Sequence, residues 1–145
     1  MDREILPYNP GDLPTKPSPQ AGEFIKIDID GFPPNKDTKF SIRNREHKNH
    51  KNFENLRQES INSMRGRAWT FNAVSISVII YHSDDNLPEK LNSYLGGIMD
   101  TLGGSSGDSF TYLPIFYEDD KQVIEGNIKS VKSKSTYYQL SVGFL

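Results

Sequence analysis

The stretch of sequence that decides the fold is an amphipathic helix with an acidic cluster on either side. It begins His82-Ser83-Asp84-Asp85-Asn86-Leu87-Pro88-Glu89-Lys90-Leu91-Asn92-Ser93, continues as a helix to Leu102 and resumes at Glu118-Asp119-Asp120-Lys121-Gln122-Val123. Asn86 and Glu89 have capping-box spacing, and Pro88 suits a first helical turn. Because Mg²⁺ prefers carboxylate oxygens that converge from several elements, the layout indicates a divalent-metal site for phosphodiester chemistry.

Hydrophobic periodicity predicts four strands and two helices. Ile25, Ile27 and Ile29 alternate with polar residues, which is typical of a half-buried strand. The strand that precedes His82 has apolar or small residues on both faces, so we expect it in the centre of a sheet. The order β-α-β-α-β-β predicts an α+β fold, a mixed sheet with both helices packed on one face and helix-linked strands as neighbours. The strands are expected over residues 23–30, 70–82, 122–132 and 137–144, and the helices over 51–64 and 86–102.

Proline separates an N-terminal arm from the rest of the chain. Five of the nine prolines fall within residues 1–22, and proline lacks the amide hydrogen that helices and sheets use. We therefore expect an extended arm over 1–22, either mobile or laid over a neighbour, and a single domain over 23–145. The pair Gly96-Gly97 suggests that another backbone, such as that of a partner chain, approaches the second helix closely; plain tolerance is the alternative.

Composition excludes several classes of protein. The chain has 145 residues and no cysteine, which excludes disulfides, thiol catalysis and cysteine-ligated zinc. No apolar run approaches the roughly 20 residues that a membrane-spanning helix needs. The N-terminal sequence lacks the apolar region of a signal peptide, so we expect a cytoplasmic protein that does not enter a membrane.

Charge is segregated along the chain. Residues 34–67 carry a net charge of +5, and residues 84–125 carry −7. A metal-dependent nucleic-acid enzyme needs cations for phosphates and acids for the metal, and ordinary surface charge is the alternative. The candidate phosphate-binding residues are Lys36, Lys39, Arg43, Arg45, Lys48, Lys51, Arg57, Arg65 and Arg67.

Three motifs resemble those of the RusA-type Holliday junction resolvases, which are small dimeric Mg²⁺-dependent endonucleases common in prophages. Gly31-Phe32-Pro33-Pro34-Asn35 is similar to the family's proline corner after the first strand. Asp119-Asp120-Lys121-Gln122-Val123 is similar to its Asp-Asp-x-Gln-Val segment before a final hairpin. Tyr81-His82, the acids that follow and a helix with Asp100-Thr101-Leu102 are similar to its strand-loop-helix. The resemblance covers about residues 23–145 and implies a RusA-like fold, a homodimer and a role in DNA recombination and repair.

The chain departs from the family pattern at the start of the second helix, where the family has Asp-x-Asp-Asn. In gapless register Lys90 stands at the first aspartate and Asn92 at the second, while a shift by one residue offers Glu89 for the first. The resemblance thus implies Asp120, Asp119 and Glu89 as the catalytic set, with Asp119 and Asp120 as Mg²⁺ ligands if the protein is active. Because a Lys90 ammonium in that pocket would repel the metal, we expect a degenerate site.

Three functions remain open from the sequence. The first is a RusA-like protein that binds branched or duplex DNA, including four-way junctions, with weak or lost Mg²⁺-dependent endonuclease activity. The second is an active Holliday junction endonuclease with a rearranged carboxylate site, for which Asp84, Asp85 and Glu89 would swing toward Asp119 and Asp120. The third is a non-enzymatic protein-interaction module that uses the proline-rich arm and the aromatic segment 110–117.

Overall fold

The computed structural model describes residues 4–6, 14–35, 50–103, 105–106 and 110–145. They form seven strands, two α-helices and one short 3₁₀ turn over Asp120–Gln122. In chain order the elements are β1 (Glu4–Leu6), β2 (Phe24–Asp30), α1 (His50–Met64), β3 (Val74–His82), α2 (Leu91–Leu102), β4 (Ser105–Ser106), β5 (Phe110–Tyr112), β6 (Val123–Lys132) and β7 (Tyr137–Phe144).

The main sheet has four strands in the order β2-β7-β3-β6. β7 is antiparallel to both β2 and β3, and β6 is parallel to β3. The predicted α+β mixed sheet is confirmed, and so is the pairing of the helix-linked strands β3 and β6. The expectation that β2 and β3 are neighbours is wrong, because β7 lies between them.

The final two strands do not form a hairpin, although the resemblance implied one. The physical reason lies in their side chains. On β7 the inward residues Tyr138, Leu140 and Val142 are completely buried, which suits a central strand. β6 is largely polar and exposed along its length, so it takes the edge of the sheet.

Both helices cover one face of the main sheet, as predicted. Alternate residues of β3, from Val74 to Ile80, point toward the helices and are fully buried, while the residues between them are partly exposed. α1 contributes Phe53, Leu56 and Met64 to this core. Arg57, a candidate phosphate-binding residue, is also buried, and its Nη1 donates to the Leu113 carbonyl over 3.2 Å.

The proline corner after β2 packs against the middle of α2. Pro33, Pro34 and Asn35 are buried, and the ring of Phe32 stacks on Tyr94 with 5.9 Å between centroids. A Cβ on Gly97 would lie 2.6 Å from the Pro34 carbonyl carbon and closer still to its oxygen. The close backbone approach predicted at Gly96-Gly97 therefore exists at Gly97, and the approaching backbone belongs to the same chain.

The second helix begins later than the sequence predicted. α2 starts at Leu91, and its N-cap Lys90 has extended backbone angles (φ −70°, ψ 146°) with no side-chain capping hydrogen bond. The predicted cap at Asn86 is therefore wrong. A helix that began there would need helical geometry at Leu87, which the following Pro88 disfavours sterically.

The described parts of the N-terminal arm lie along their own chain. β1 is parallel to β5 in a small second sheet that also contains β4. The backbone amides of Thr15 and Lys16 both donate to the Gly66 carbonyl over 2.9 Å, and Ala68 donates back to Lys16. This path brings the Lys16 side chain to the end of α1.

Candidate nucleic-acid interface and acidic residues

Asp119 caps the short turn that leads into β6. Its carboxylate accepts a hydrogen bond of 2.9 Å from the Lys121 amide, and it forms a capping box with Gln122. Its side chain therefore stabilises two backbone amides at the start of a 3₁₀ turn, those of Lys121 and Gln122. Asp119, predicted as a metal ligand, already has a structural role.

Gln122 is the residue that fixes this segment in the fold. Its Oε1 accepts from the amides of Glu118 and Asp119, both over 2.9 Å. Its Nε2 donates to the carbonyls of Thr70 and Asn72 over 2.8 and 2.9 Å. Both the oxygen and the nitrogen of the side-chain amide are thus hydrogen-bonded, and they connect the start of β6 to the segment before β3.

The predicted catalytic acids lie at opposite ends of α2. An oxygen of Asp120 lies 3.7 Å from the position that a Cβ would take on Gly103, directly after the C-terminus of the helix. Glu89 precedes the N-terminus of the same helix. Twelve residues at 1.5 Å each separate these ends by about 18 Å. The structure does not bring Glu89 together with Asp119 and Asp120.

The alternative acids before α2 are equally remote. Asp85 forms an ion pair of 2.7 Å with Lys132, at the end of β6. Asp119 and Asp120 precede the start of β6, and ten strand residues span about 30 Å. The rearranged carboxylate site would need Asp85 to cross the length of this strand.

Mg²⁺ does not fit the predicted acids as they are placed. Within residues 4–6, 14–35, 50–103, 105–106 and 110–145, no three His, Asp or Glu side chains form a group able to hold a metal ion. A divalent site needs converging oxygens, and Asp120 receives none from Glu89 in this arrangement.

The start of α2 is exposed to solvent. Glu89, Lys90 and Asn92 are exposed, whereas Tyr94 one turn further is buried. Burial, and after it the negative charge of Glu89, raise the pKa of Tyr94 to about 12, while a backbone hydrogen bond with Glu89 acts in the opposite direction. Glu89 therefore acts on a core tyrosine rather than on a second acid.

A basic groove of about 670 Å³ lies between the end of α1 and the edge strand β2. We call it the α1–β2 groove. Of the charged residues that line it four are cations and one is an acid: Lys16, Lys26, Arg65 and Arg67 against Glu59. Its floor includes Ile25 and Ile27 of β2.

Turn geometry positions the two arginines of the groove. Arg65 follows α1 in the left-handed region (φ 53°), and Gly66 beside it has φ 82°. The Nε of Arg67 donates to the Met64 carbonyl over 3.0 Å, and its Nη1 pairs with Glu23 over 3.2 Å. Arg65 is exposed, while Arg67 is held by these contacts.

The structure places the predicted phosphate-binding residues in three groups. Arg65 and Arg67 share the α1–β2 groove, Lys51 is exposed near the start of α1, and Arg57 is buried. Sequence reasoning missed Lys16 and Lys26. The alternation of Ile25 and Ile27 did place Lys26 on the wet face, but nothing in the sequence positions Lys16 beside α1. The others lie outside the described residues: Lys36, Lys39, Arg43, Arg45 and Lys48.

Comparison of the chain with protein-family models and with curated proteins finds no match. The link to the RusA-type resolvases therefore rests on the motifs quoted above. Neither described helix is long and apolar enough to cross a membrane.

Proposed function

We propose that this protein is a RusA-like DNA-binding protein that holds branched or duplex DNA by its phosphates, with weak or lost Mg²⁺-dependent endonuclease activity. The observation that carries the proposal is the convergence of Lys16, Lys26, Arg65 and Arg67 on the α1–β2 groove. These cations come from three places along the sequence, so the fold concentrates positive charge at one surface. Clustered Lys and Arg are the electrostatic footprint of nucleic-acid binding.

The proposed binding is electrostatic rather than sequence-specific. Arginine offers a planar fork to phosphate oxygens, and lysine offers a point charge on a flexible stem. Contacts of this kind position DNA without reading bases.

Weak or lost cleavage is supported by how the acids are used. Asp119 serves as a cap, Asp120 lies at the C-terminal end of α2, and Lys90 and Asn92 stand where the family has acids. A phosphodiester cleavage step with Mg²⁺ needs carboxylates that share the metal. Glu89, at the other end of α2, lies too far from Asp119 and Asp120 to share a metal with them.

The binding proposal is tested by removing charge from the groove. The triple variant Lys16→Gln, Lys26→Gln, Arg65→Asn removes three cations, and asparagine tolerates the left-handed backbone at position 65. Arg67 is left intact because its contacts with Met64 and Glu23 are structural. By fluorescence anisotropy on a four-way junction and a duplex, the log–log salt slope should fall by two to three, at about 0.9 per lost phosphate contact.

A matched triple variant controls for net charge. Lys121, Lys132 and Lys134 are exposed and none of them lines the groove. Changing all three to glutamine removes the same charge, and the affinity should fall much less because long-range attraction is screened. Equal losses in the two triple variants would contradict the groove as the binding surface. Undetectable binding at low salt would favour the protein-interaction module instead.

The enzymatic part is tested with a junction-cleavage gel in Mg²⁺ and in Mn²⁺. We expect no robust cleavage by the wild type, and none by Lys90→Asp, Asn92→Asp, because restored acids would still lie about 18 Å from Asp120. Cleavage that is lost in Asp120→Asn and kept in Asp30→Asn, a change at an exposed acid on β2, would instead establish the active-endonuclease alternative.

A further inference from the structure

The outer edge of β6 is open along its whole length within the described part of the chain. β6 is the last strand of its sheet and its described partner is β3. It has ten residues, and it exposes two apolar side chains, Ile124 (67 % exposed) and Val131 (39 %). An edge strand presents unpaired N–H and C=O groups that bind another strand readily.

The charges on this strand are self-complementary about its centre. Glu125 and Lys129 stand at equal distances on either side of Asn127. If two copies of the strand run antiparallel about a two-fold axis at Asn127, each Glu125 lies opposite a Lys129 of the second copy. Opposite charges at directly opposed positions stabilise an antiparallel pair.

We propose that β6 pairs antiparallel with β6 of a second copy of this chain, in the register that places Asn127 opposite itself. The two main sheets then form one continuous eight-stranded sheet. Other two-fold registers are less favourable, since an axis at Glu125 opposes two acids and an axis at Lys129 opposes two lysines. A lysine on an edge strand normally discourages pairing with another strand. In β6, the register centred on Asn127 is the one that places Glu125 opposite Lys129.

The side chains on both faces of the strand suit this pairing. Glu125, Asn127 and Lys129 share the face away from the helices with Ser75, Ser77 and Ile79. The Asn127 Oδ1 accepts a hydrogen bond of 2.9 Å from the Ser77 hydroxyl, which fixes the side-chain amide. Its amide donor is then oriented for the same residue of the second copy, since asparagine has both a donor and an acceptor.

On the helix side, α2 adds apolar surface beside the edge. Leu95 lies over Gly126, with its Cδ2 3.8 Å from the position that a Cβ would take there. Leu91, Leu95 and Ile128 are only partly buried although they pack on the core. A second copy on the β6 edge would cover them, which adds hydrophobic stabilisation to the backbone pairing.

A charge swap tests the register. In sedimentation velocity over a wide range of concentration, the wild type should approach twice the 16.5 kDa of the chain. Glu125→Lys places two lysines opposite each other at two positions of the dimer, and it should weaken the dimer about tenfold or more. The double variant Glu125→Lys, Lys129→Glu exchanges the charges and should restore the wild-type constant. A thermal melt of each variant checks that the monomer fold is intact.

A cysteine scan gives an independent test, because the chain has no cysteine of its own. Asn127→Cys should form a disulfide-linked dimer under mild oxidation, since directly opposed residues have Cβ atoms about 5 Å apart. Glu125→Cys alone should not, whereas mixing it with Lys129→Cys should give a linked heterodimer.

Two results would overturn the pairing. One is a wild-type chain that stays monomeric at every concentration; the other is a dimer that ignores the charge swap and gives no cross-link at Asn127. The proposal does not depend on DNA binding, because β6 contributes no residue to the α1–β2 groove. The groove variants should therefore dimerise like the wild type.

Discussion

The two ends of α2 use polar residues in opposite ways. At the C-terminal end the Tyr117 hydroxyl donates to the Met99 carbonyl over 2.7 Å, and the amides of Ile115 and Phe116 donate to Leu102. Asp119 and Gln122 follow Tyr117 closely and form the capping box of the next turn. At the N-terminal end Glu89, Lys90 and Asn92 are exposed, and the helix lacks a side-chain cap.

This difference bears on the meaning of the RusA-like motif at residues 119–123. The glutamine and first aspartate of Asp119-Asp120-Lys121-Gln122-Val123 are explained by folding, because they cap a turn and join it to the segment before β3. The motif therefore indicates the fold without requiring a metal. The start of α2 is exposed and has no side-chain cap, and this is where Lys90 and Asn92 stand at the positions that are acidic in the RusA pattern.

The largest expected effect is at Gly97, between the two ends of α2, where the proline corner after β2 packs on the helix. Gly97→Ala places a methyl group within the Pro34 carbonyl, so the corner or the helix must move. We expect a loss of about 3 kcal/mol or more in the free energy of unfolding, measured by urea denaturation. Asn92→Ala on the exposed side of the same helix is the control and should change it by a few tenths of a kcal/mol. Equal stability of the two variants would show that the corner is not packed on Gly97.

A smaller effect is expected at the C-terminal end. Gln122→Glu keeps the acceptor for Glu118 and Asp119 but replaces the donor to Thr70 and Asn72 with a negative oxygen. We expect a loss of about 2–3 kcal/mol at neutral pH, since two carbonyls lose their donor.

Asn62→Asp is the matched control for that change. Its Oδ1 accepts a hydrogen bond of 3.0 Å from the Gln58 side-chain amide, and an aspartate keeps that acceptor. The control should stay within about 0.5 kcal/mol of the wild type. If both variants lost the same stability, the loss would come from added charge and not from the contacts of Gln122.

The smallest effect belongs to the N-terminal end and is confined to alkaline solution. Burial and Glu89 raise the pKa of Tyr94 from 10 to about 12. Between these values the unfolded chain releases the tyrosine proton and the folded chain keeps it, so this contribution to stability is lost as the pH rises. Relative to Tyr94→Phe, the wild type should lose stability from pH 10 to pH 12.

Glu89→Gln sharpens that measurement. Removing the carboxylate lowers the pKa of Tyr94, because one of its causes is gone. Followed by absorbance of the phenolate, the transition should move to lower pH. An unchanged transition would mean that Glu89 does not face Tyr94.

The sequence predicted what depends on local pattern. The alternation of Ile25, Ile27 and Ile29 and that of β3 were enough to place two strands and the side on which the helices pack. It could not place β7, because the pattern of a buried strand does not say which strands it lies between. The role of Gln122 was also hidden, since its side chain donates to the carbonyls of Thr70 and Asn72, about fifty residues earlier in the chain.

The position of β7 has a consequence for how the chain folds. β2 pairs with β7 and with no other strand of its sheet, and Ile29 lies opposite Tyr138, more than one hundred residues later. Until that long loop closes, β2 has no backbone partner and the sheet has a gap at its centre. Because such non-local pairing loses chain entropy before it gains contacts, we expect β7 insertion to be a late and slow step in folding.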